Sequence, residues 1–174
     1  SGKDAANAMQ KLVNVDKVQV VVGGFCSSES LSAAPIAESN KVVLLSGGSS
    51  SPNLTGISHY FFRDYPSDGT QGKILADISY NKEGFKKVAF LQEQQDYALG
   101  IYQAFNEEFQ KLGGQTVREE YPKEATDFKT QLTKLKATNP DALFLSTQTP
   151  AAAQRIIIQL QDLNWKPLLL LSDE

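Results

Sequence analysis

The chain has 174 residues, enough for one domain with a sizeable core or for two small lobes. Hydrophobic residues make up 41% and charged residues 21%, and 17 Lys+Arg against 20 Asp+Glu give a net charge of -3 with no basic cluster, which argues against nucleic-acid binding. The longest apolar run, "PLLLLS", is far short of the ~20 residues a membrane helix needs, and a single Cys with a single His cannot form the usual structural zinc set.

Ala5, Ala8, Met9, Leu12 and Val13 recur at helical spacing over residues 3–14. "VQVVVGG" then predicts a buried strand, and "SSESLSAAPIAESN" a helix with Ser27 or Ser28 as N-cap and Asn40 at its exit. "KVVLLSGG" predicts a second buried strand, "SSSPNLTGISH" a loop and "YFFR" a short third strand. After the turn-rich "DYPSDG", Ile74, Leu75 and Ile78 mark another helix, and "KVAFL" a strand. Residues 96–112 read as a helix with Ile101, Phe105, Phe109 and Leu112 on one face, stopped by Gly113 and Gly114. "QTVREEY" alternates in polarity and suits a strand near a sheet edge. Phe128, Leu132 and Leu135 define the next helix, and "DALFLS" the next buried strand. Pro150 opens a helix expected to bury Ile156, Ile157, Leu160 and Leu163, and "PLLLLSDE" closes the chain as a buried strand.

Short apolar strands alternating with amphipathic helices predict an α/β fold with parallel sheets covered on both faces. The link at 64–68 divides the chain into a partial first lobe, residues 1–66, and a second lobe, 67–174, each expected to be incomplete. Ligands of open parallel sheets bind beyond the carboxyl ends of the strands. That rule selects the loops at 23–29, 46–51, 92–97, 146–149 and 172–174.

Cys26 or Ser27 as a nucleophile needs a general base, and the lone His59 sits in a loop before a strand. "GGSSS" does not have nucleophile-elbow spacing, and neither a phosphate-binding P-loop nor a dinucleotide fingerprint is present. Two readings of the serine-rich loops stay open at this level. Serines after strands cap helices. Serine hydroxyls, backbone N–H groups and a helix dipole also suit a carboxylate. Trp165, Lys86, Lys87 and His59 read as packing or solvated positions.

Taken in order, "VVVGGFCSSES", "VVLLSGGSSSPNLT", "FFRDYPSDGTQGKILADI", "KVAFLQEQQDYALGIYQAFNEEFQKLGG", "DFKTQLTKLKATNPDALFLS" and "LLLLSDE" resemble one family over essentially the whole chain. That family is the type I periplasmic binding proteins of ABC importers, in the leucine/isoleucine/valine-binding branch. The resemblance implies periplasmic binding protein type I architecture: Rossmann-like, three-layer α/β/α lobes, here truncated to an internal fragment. It implies a non-enzymatic protein without cofactor that captures an amino acid or related small carboxylate by hinge closure and delivers it to ABC permease subunits. The implied location is periplasmic or otherwise extracytoplasmic.

Carried over position by position, Ser27 matches the serine that binds the ligand α-carboxylate. Gly48 matches a backbone carbonyl on the ammonium, and Ser50 a threonine touching both polar groups. Tyr97 matches a tyrosine closing over the ligand, and Asp173 an acid pairing with the ammonium. Gln148 stands where branched-chain binders have a tyrosine. The resemblance gives Cys26 a structural role, in some members as a disulfide partner. A ligand-sensing receptor of the same fold and a flavodoxin-like enzyme are the alternative classes. A truncated first sheet is expected to leave edges open to self-association.

Overall fold

The computed structural model describes residues 1–172, which form two compact units, one from Ser1 to Asp68 and one from Gly69 onward. The first contains α1 (Gly2–Asn14), β1 (Val20–Val22), α2 (Ser27–Asn40), β2 (Val43–Ser46) and β3 (Phe61–Arg63). Its strands form a parallel sheet in the order β1-β2-β3. Met9 and Val13 of α1 meet Ala33, Ala34 and Ala37 of α2 above Leu44, so small side chains on α2 let the two helices approach closely. Helix α1 opens with a capping box between Ser1 and Asp4.

That sheet is covered on one face only. Val21, Leu44 and Phe61 point into the helices, while Val20, Val22, Leu45 and Phe62 are exposed, Val22 to 75%. The expectation of a buried first strand is therefore corrected. Its residues are apolar on both faces, as parallel strands are, but the described chain supplies helices to one face.

The second unit contains α3 (Asp68–Asp77, its first residue at the boundary), β4 (Lys87–Glu93), α4 (Asp96–Lys111), β5 (Gln115–Tyr121), α5 (Lys129–Ala137), β6 (Ala142–Ser146), α6 (Pro150–Asp162) and β7 (Leu168–Leu171). Its parallel sheet runs β5-β4-β6-β7, which places the "QTVREEY" strand at an edge, as its alternating polarity required. Here both faces are covered. Val88, Phe90 and Phe144 point toward Ala76, Ile101, Phe105 and Phe109, while Ala89, Leu91, Leu143 and Leu145 point toward Leu132, Ile156 and Leu160. Phe90 and Phe144 stack at 4.6 Å, with Phe105 edge-on to Phe90 at 5.1 Å. Removing such a ring from a core costs about 3–5 kcal/mol.

Four further expectations change. β7 forms the other edge and leaves Leu168 and Leu171 exposed, because nothing in the described chain pairs with its outer side. Ile157 is 43% exposed, since α6 can turn only one stripe toward the sheet and Ile156 and Leu160 occupy it. Ile78 leaves α3 for a wider π-type turn over Ile78–Lys82, in which Tyr80 carries the Lys86 ammonium 3.4 Å from its ring centre. The loop after β2 contains a single helical turn, Pro52–Leu54, opened by Ser51.

Candidate functional site

The parallel register aligns Val22 with Leu45, so the loops after β1 and β2 leave the same end of the first sheet side by side. Gly24 makes the turn between them possible. Its φ of +71° belongs to the left-handed region, and a Cβ there would lie 2.5 Å from Ser30 Oγ. Its carbonyl accepts from the hydroxyls of Ser30 (2.9 Å), Ser46 (2.5 Å) and Ser49 (2.8 Å). Ser46 Oγ in turn accepts from the Ser49 N–H at 3.0 Å. These three serines are buried, and their hydroxyls hold the two loops together.

Helix α2 begins one residue earlier than the composition suggested. Cys26, not Ser27 or Ser28, is the N-cap, and its N–H donates to the Glu29 carboxylate at 3.2 Å. Ser27 thereby enters the first turn, buried, with its Oγ accepting from the Ser51 N–H at 3.1 Å. That contact uses an acceptor position of the hydroxyl and leaves its hydrogen to donate.

The loop after β2 is also fixed from below. The Arg63 guanidinium donates to the Ser51 carbonyl (2.8 Å), the Ser49 carbonyl (3.4 Å) and Thr55 Oγ1 (2.9 Å). Burial lowers the Arg63 pKa from its ordinary value, and the Asp68 charge partly offsets this. The Asp68 N–H donates to the Ser50 carbonyl at 3.0 Å. Ser50 is thus held through its own backbone and both neighbours. It is 1% exposed, yet its Oγ has no hydrogen-bond partner among the described residues. Buried hydroxyls are nearly always paired, which sets Ser50 apart from the bonded serines around it. Gly48 lies under the exposed Phe25 ring, and a Cβ at Gly48 would meet that ring at 2.6 Å.

In the second unit, Gln92 of β4 pairs with Ser146 of β6, so the following loops also emerge together. Glu93 ends β4, fully buried. Its Oε1 accepts from Gln95 Nε2 (2.5 Å) and Thr149 Oγ1 (3.0 Å), and its Oε2 from Thr147 Oγ1 (2.9 Å) and the Gln148 N–H (3.1 Å). Burial pushes the nearby Tyr121 phenol well above its ordinary pKa. The Thr147 hydroxyl opposes that shift and the Glu93 charge adds to it. Tyr97, in the first turn of α4, is 1% exposed, and Gln148 is half-buried.

The structure therefore brings Ser27, Gly48 and Ser50 together at the carboxyl end of the first sheet. It places Tyr97, in the first turn of α4, and Gln148, in the loop after β6, at the carboxyl end of the second. Asp173 lies outside the described residues. Glu93, Arg63 and Ser30 are the members that sequence reasoning missed. A carboxylate ending an apolar strand was the available signal for Glu93, whereas nothing local distinguishes Arg63 or Ser30. His59, the only histidine, is bonded through Nδ1 to Glu38 at 3.0 Å. Trp165 is partly buried and packs against the core of the second unit, as expected. Among the described residues no three His, Cys, Asp or Glu side chains converge as a metal site.

The sequence profile of the periplasmic binding protein family matches residues 1–172. An amino acid binding protein of Pseudomonas aeruginosa is 30% identical over 153 residues, spanning 86% of this chain and 41% of its own length. The crystal structure of a leucine binding protein of Thermotoga maritima superposes with a TM-score of 0.91 at 32% identity, over 99% of this chain and 49% of that one. A solute binding protein of an ABC transporter from Rhodopseudomonas palustris, in complex with 3,4-dihydroxybenzoic acid, superposes at 0.80 with 26% identity, over 98% and 47%. The chain thus spans less than half the length of each of these relatives.

Proposed function

This chain belongs to the periplasmic binding protein family, and from that premise we propose that it is part of an extracytoplasmic substrate-binding component of an ABC importer. The proposed ligand is an amino acid or related small carboxylate, captured by hinge closure and passed to permease subunits. The observation that carries this reading is the buried, unpartnered hydroxyl of Ser50 beside the Ser27–Ser51 contact. A carboxylate oxygen satisfies Ser50 and takes the hydrogen of Ser27 at the same time, and hydrogen bonds to a charged group are the stronger kind.

In this reading Gly48 offers its carbonyl to a ligand ammonium, and Asp173 adds the opposing charge. Tyr97 and Gln148 meet the remainder of the ligand. The ligands of the relatives support the carboxylate end: amino acid, leucine and 3,4-dihydroxybenzoic acid all carry one. Gln148 supplies a polar amide, so the side-chain pocket is proposed to accept more than an aliphatic group.

A thermal-shift screen of the intact protein against the common L-amino acids and hydroxybenzoates tests the reading. Ligand at about 100 times its Kd stabilises the native state by about 2.7 kcal/mol, a readily measured rise in melting temperature. The proposal expects such a rise for at least one carboxylate and none for its amide. A protein whose melting temperature ignores every carboxylate, or responds equally to the amides, has a different ligand.

A further inference from the structure

Two helices of the second unit begin in an unusual way. Gln95 is the N-cap of α4 and Thr149 the N-cap of α6, yet neither side chain bonds its own helix. Both reach instead to the same oxygen of Glu93. A threonine N-cap normally contributes about 1 kcal/mol to its helix, so Thr149 is diverted from its own helix and meets Gln95 on one buried carboxylate. The other oxygen takes Thr147 Oγ1 and the N–H of Gln148 itself. Four donors from two loops thus converge on a group that, when ionised, only accepts.

We infer that Glu93 is a positioning residue: it locks the 147–149 loop to the start of α4, fixing Gln148 relative to Tyr97 and so setting how the second unit discriminates ligand side chains. This rests on the proposed ligand-facing roles of Tyr97 and Gln148. A core that needed only stability has a cheaper solution here. Burying a charge is costly, and apolar replacements of buried ionic groups are often neutral or stabilising. What the carboxylate provides is one geometry for four donors. A hydrophobic side chain accepts none of them, and a carboxamide offers one acceptor oxygen instead of two.

The test uses Glu93→Gln and Thr147→Val in the intact protein. The first removes the charge and one acceptor oxygen, the second one donor to Glu93 together with the acceptor of the Thr149 N–H. Two quantities are read: the hydrogen-exchange rate of the Gln148 amide without ligand, and the Kd values of L-leucine and L-alanine. The expected result is a folded protein whose Gln148 amide exchanges about tenfold faster. L-leucine binding should weaken about tenfold, against less than about threefold for L-alanine, whose methyl group reaches little beyond the shared ammonium and carboxylate. Equal losses for both amino acids assign Glu93 a purely structural role and overturn the inference, as do unchanged exchange and affinity. If Glu93→Gln does not fold, Thr147→Val carries the same comparison. If the unaltered protein binds neither amino acid, the amino-acid reading fails separately. The exchange rates then decide the locking of the 147–149 loop alone: faster exchange upholds it, and native protection in the variants ends it.

Discussion

Replacing Ser50 by Ala separates a binding role from a structural one, because the two roles predict opposite signs. The Ser50 hydroxyl is buried and has no partner among the described residues, a condition that costs about 1–3 kcal/mol of desolvation. Ala deletes that hydroxyl, keeps Cβ, and leaves the Asp68 N–H to Ser50 carbonyl bond of 3.0 Å untouched. Ligand-free stability should therefore hold or rise by about 1–2 kcal/mol, a gain of a few degrees in melting temperature for a chain of this size. Affinity for the carboxylate ligand should fall about 10- to 150-fold, the loss expected for one hydrogen bond to a charged group. Ser49→Ala is the contrasting control. Its hydroxyl bridges Gly24, Phe25 and Ser30, so its removal should cost stability by about 1–3 kcal/mol. Thermal unfolding without ligand and calorimetric titration with it supply both numbers. A Ser50→Ala protein that loses stability while binding as before would refute the reasoning.

Two further outcomes are expected. Asp141 accepts from the N–H groups of Lys86 (2.7 Å) and Lys87 (2.8 Å), and these bonds hold its pKa below the ordinary 3.8. Its contribution to stability is therefore complete above that ordinary value and is lost as pH falls through the lower folded value. Urea denaturation should accordingly show Asp141→Asn less stable than the parent at pH 6, with the gap closing toward pH 2. In the other experiment, the 174-residue chain by itself should associate through the bare face carrying Val20, Val22, Leu45 and Phe62. Light scattering over a concentration series should register this, and Val22→Lys with Phe62→Lys should suppress it. A monodisperse parent chain would show that these side chains attract no partner copy.

Most of the fold was legible because the signals that specify it are local. Strands such as "DALFLS" are short and apolar throughout, helices such as residues 96–112 carry one stripe, and Gly113–Gly114 stop that helix where it must end. Alternation of the two types, with no room for hairpins, requires parallel sheets. The strand-end rule then pointed to the loops that hold Ser27, Gly48, Ser50, Tyr97 and Gln148, because the carboxyl ends of parallel strands all lie on one side.

Other properties were decided only when the elements packed. "VQVVVGG" and "PLLLLSDE" look as buried as "DALFLS", since apolar composition reports what a strand needs covered and says nothing about whether a neighbour covers it. The N-cap moved to Cys26 because the Glu29 carboxylate closes the box on its N–H, a contest among adjacent residues that composition leaves open. Ser46, Ser49 and Ser50 are alike in sequence, yet two bond the Gly24 carbonyl across 22 and 25 residues and one keeps its hydroxyl unfilled. The amino-acid sequence by itself determined the order and kind of the elements and the loops where a ligand can sit. Which serines brace the loops, which one has no partner among the described residues, and that Glu93 ties two loops together depended on hydrogen bonds between residues far apart in the chain, and no local pattern encodes those distances.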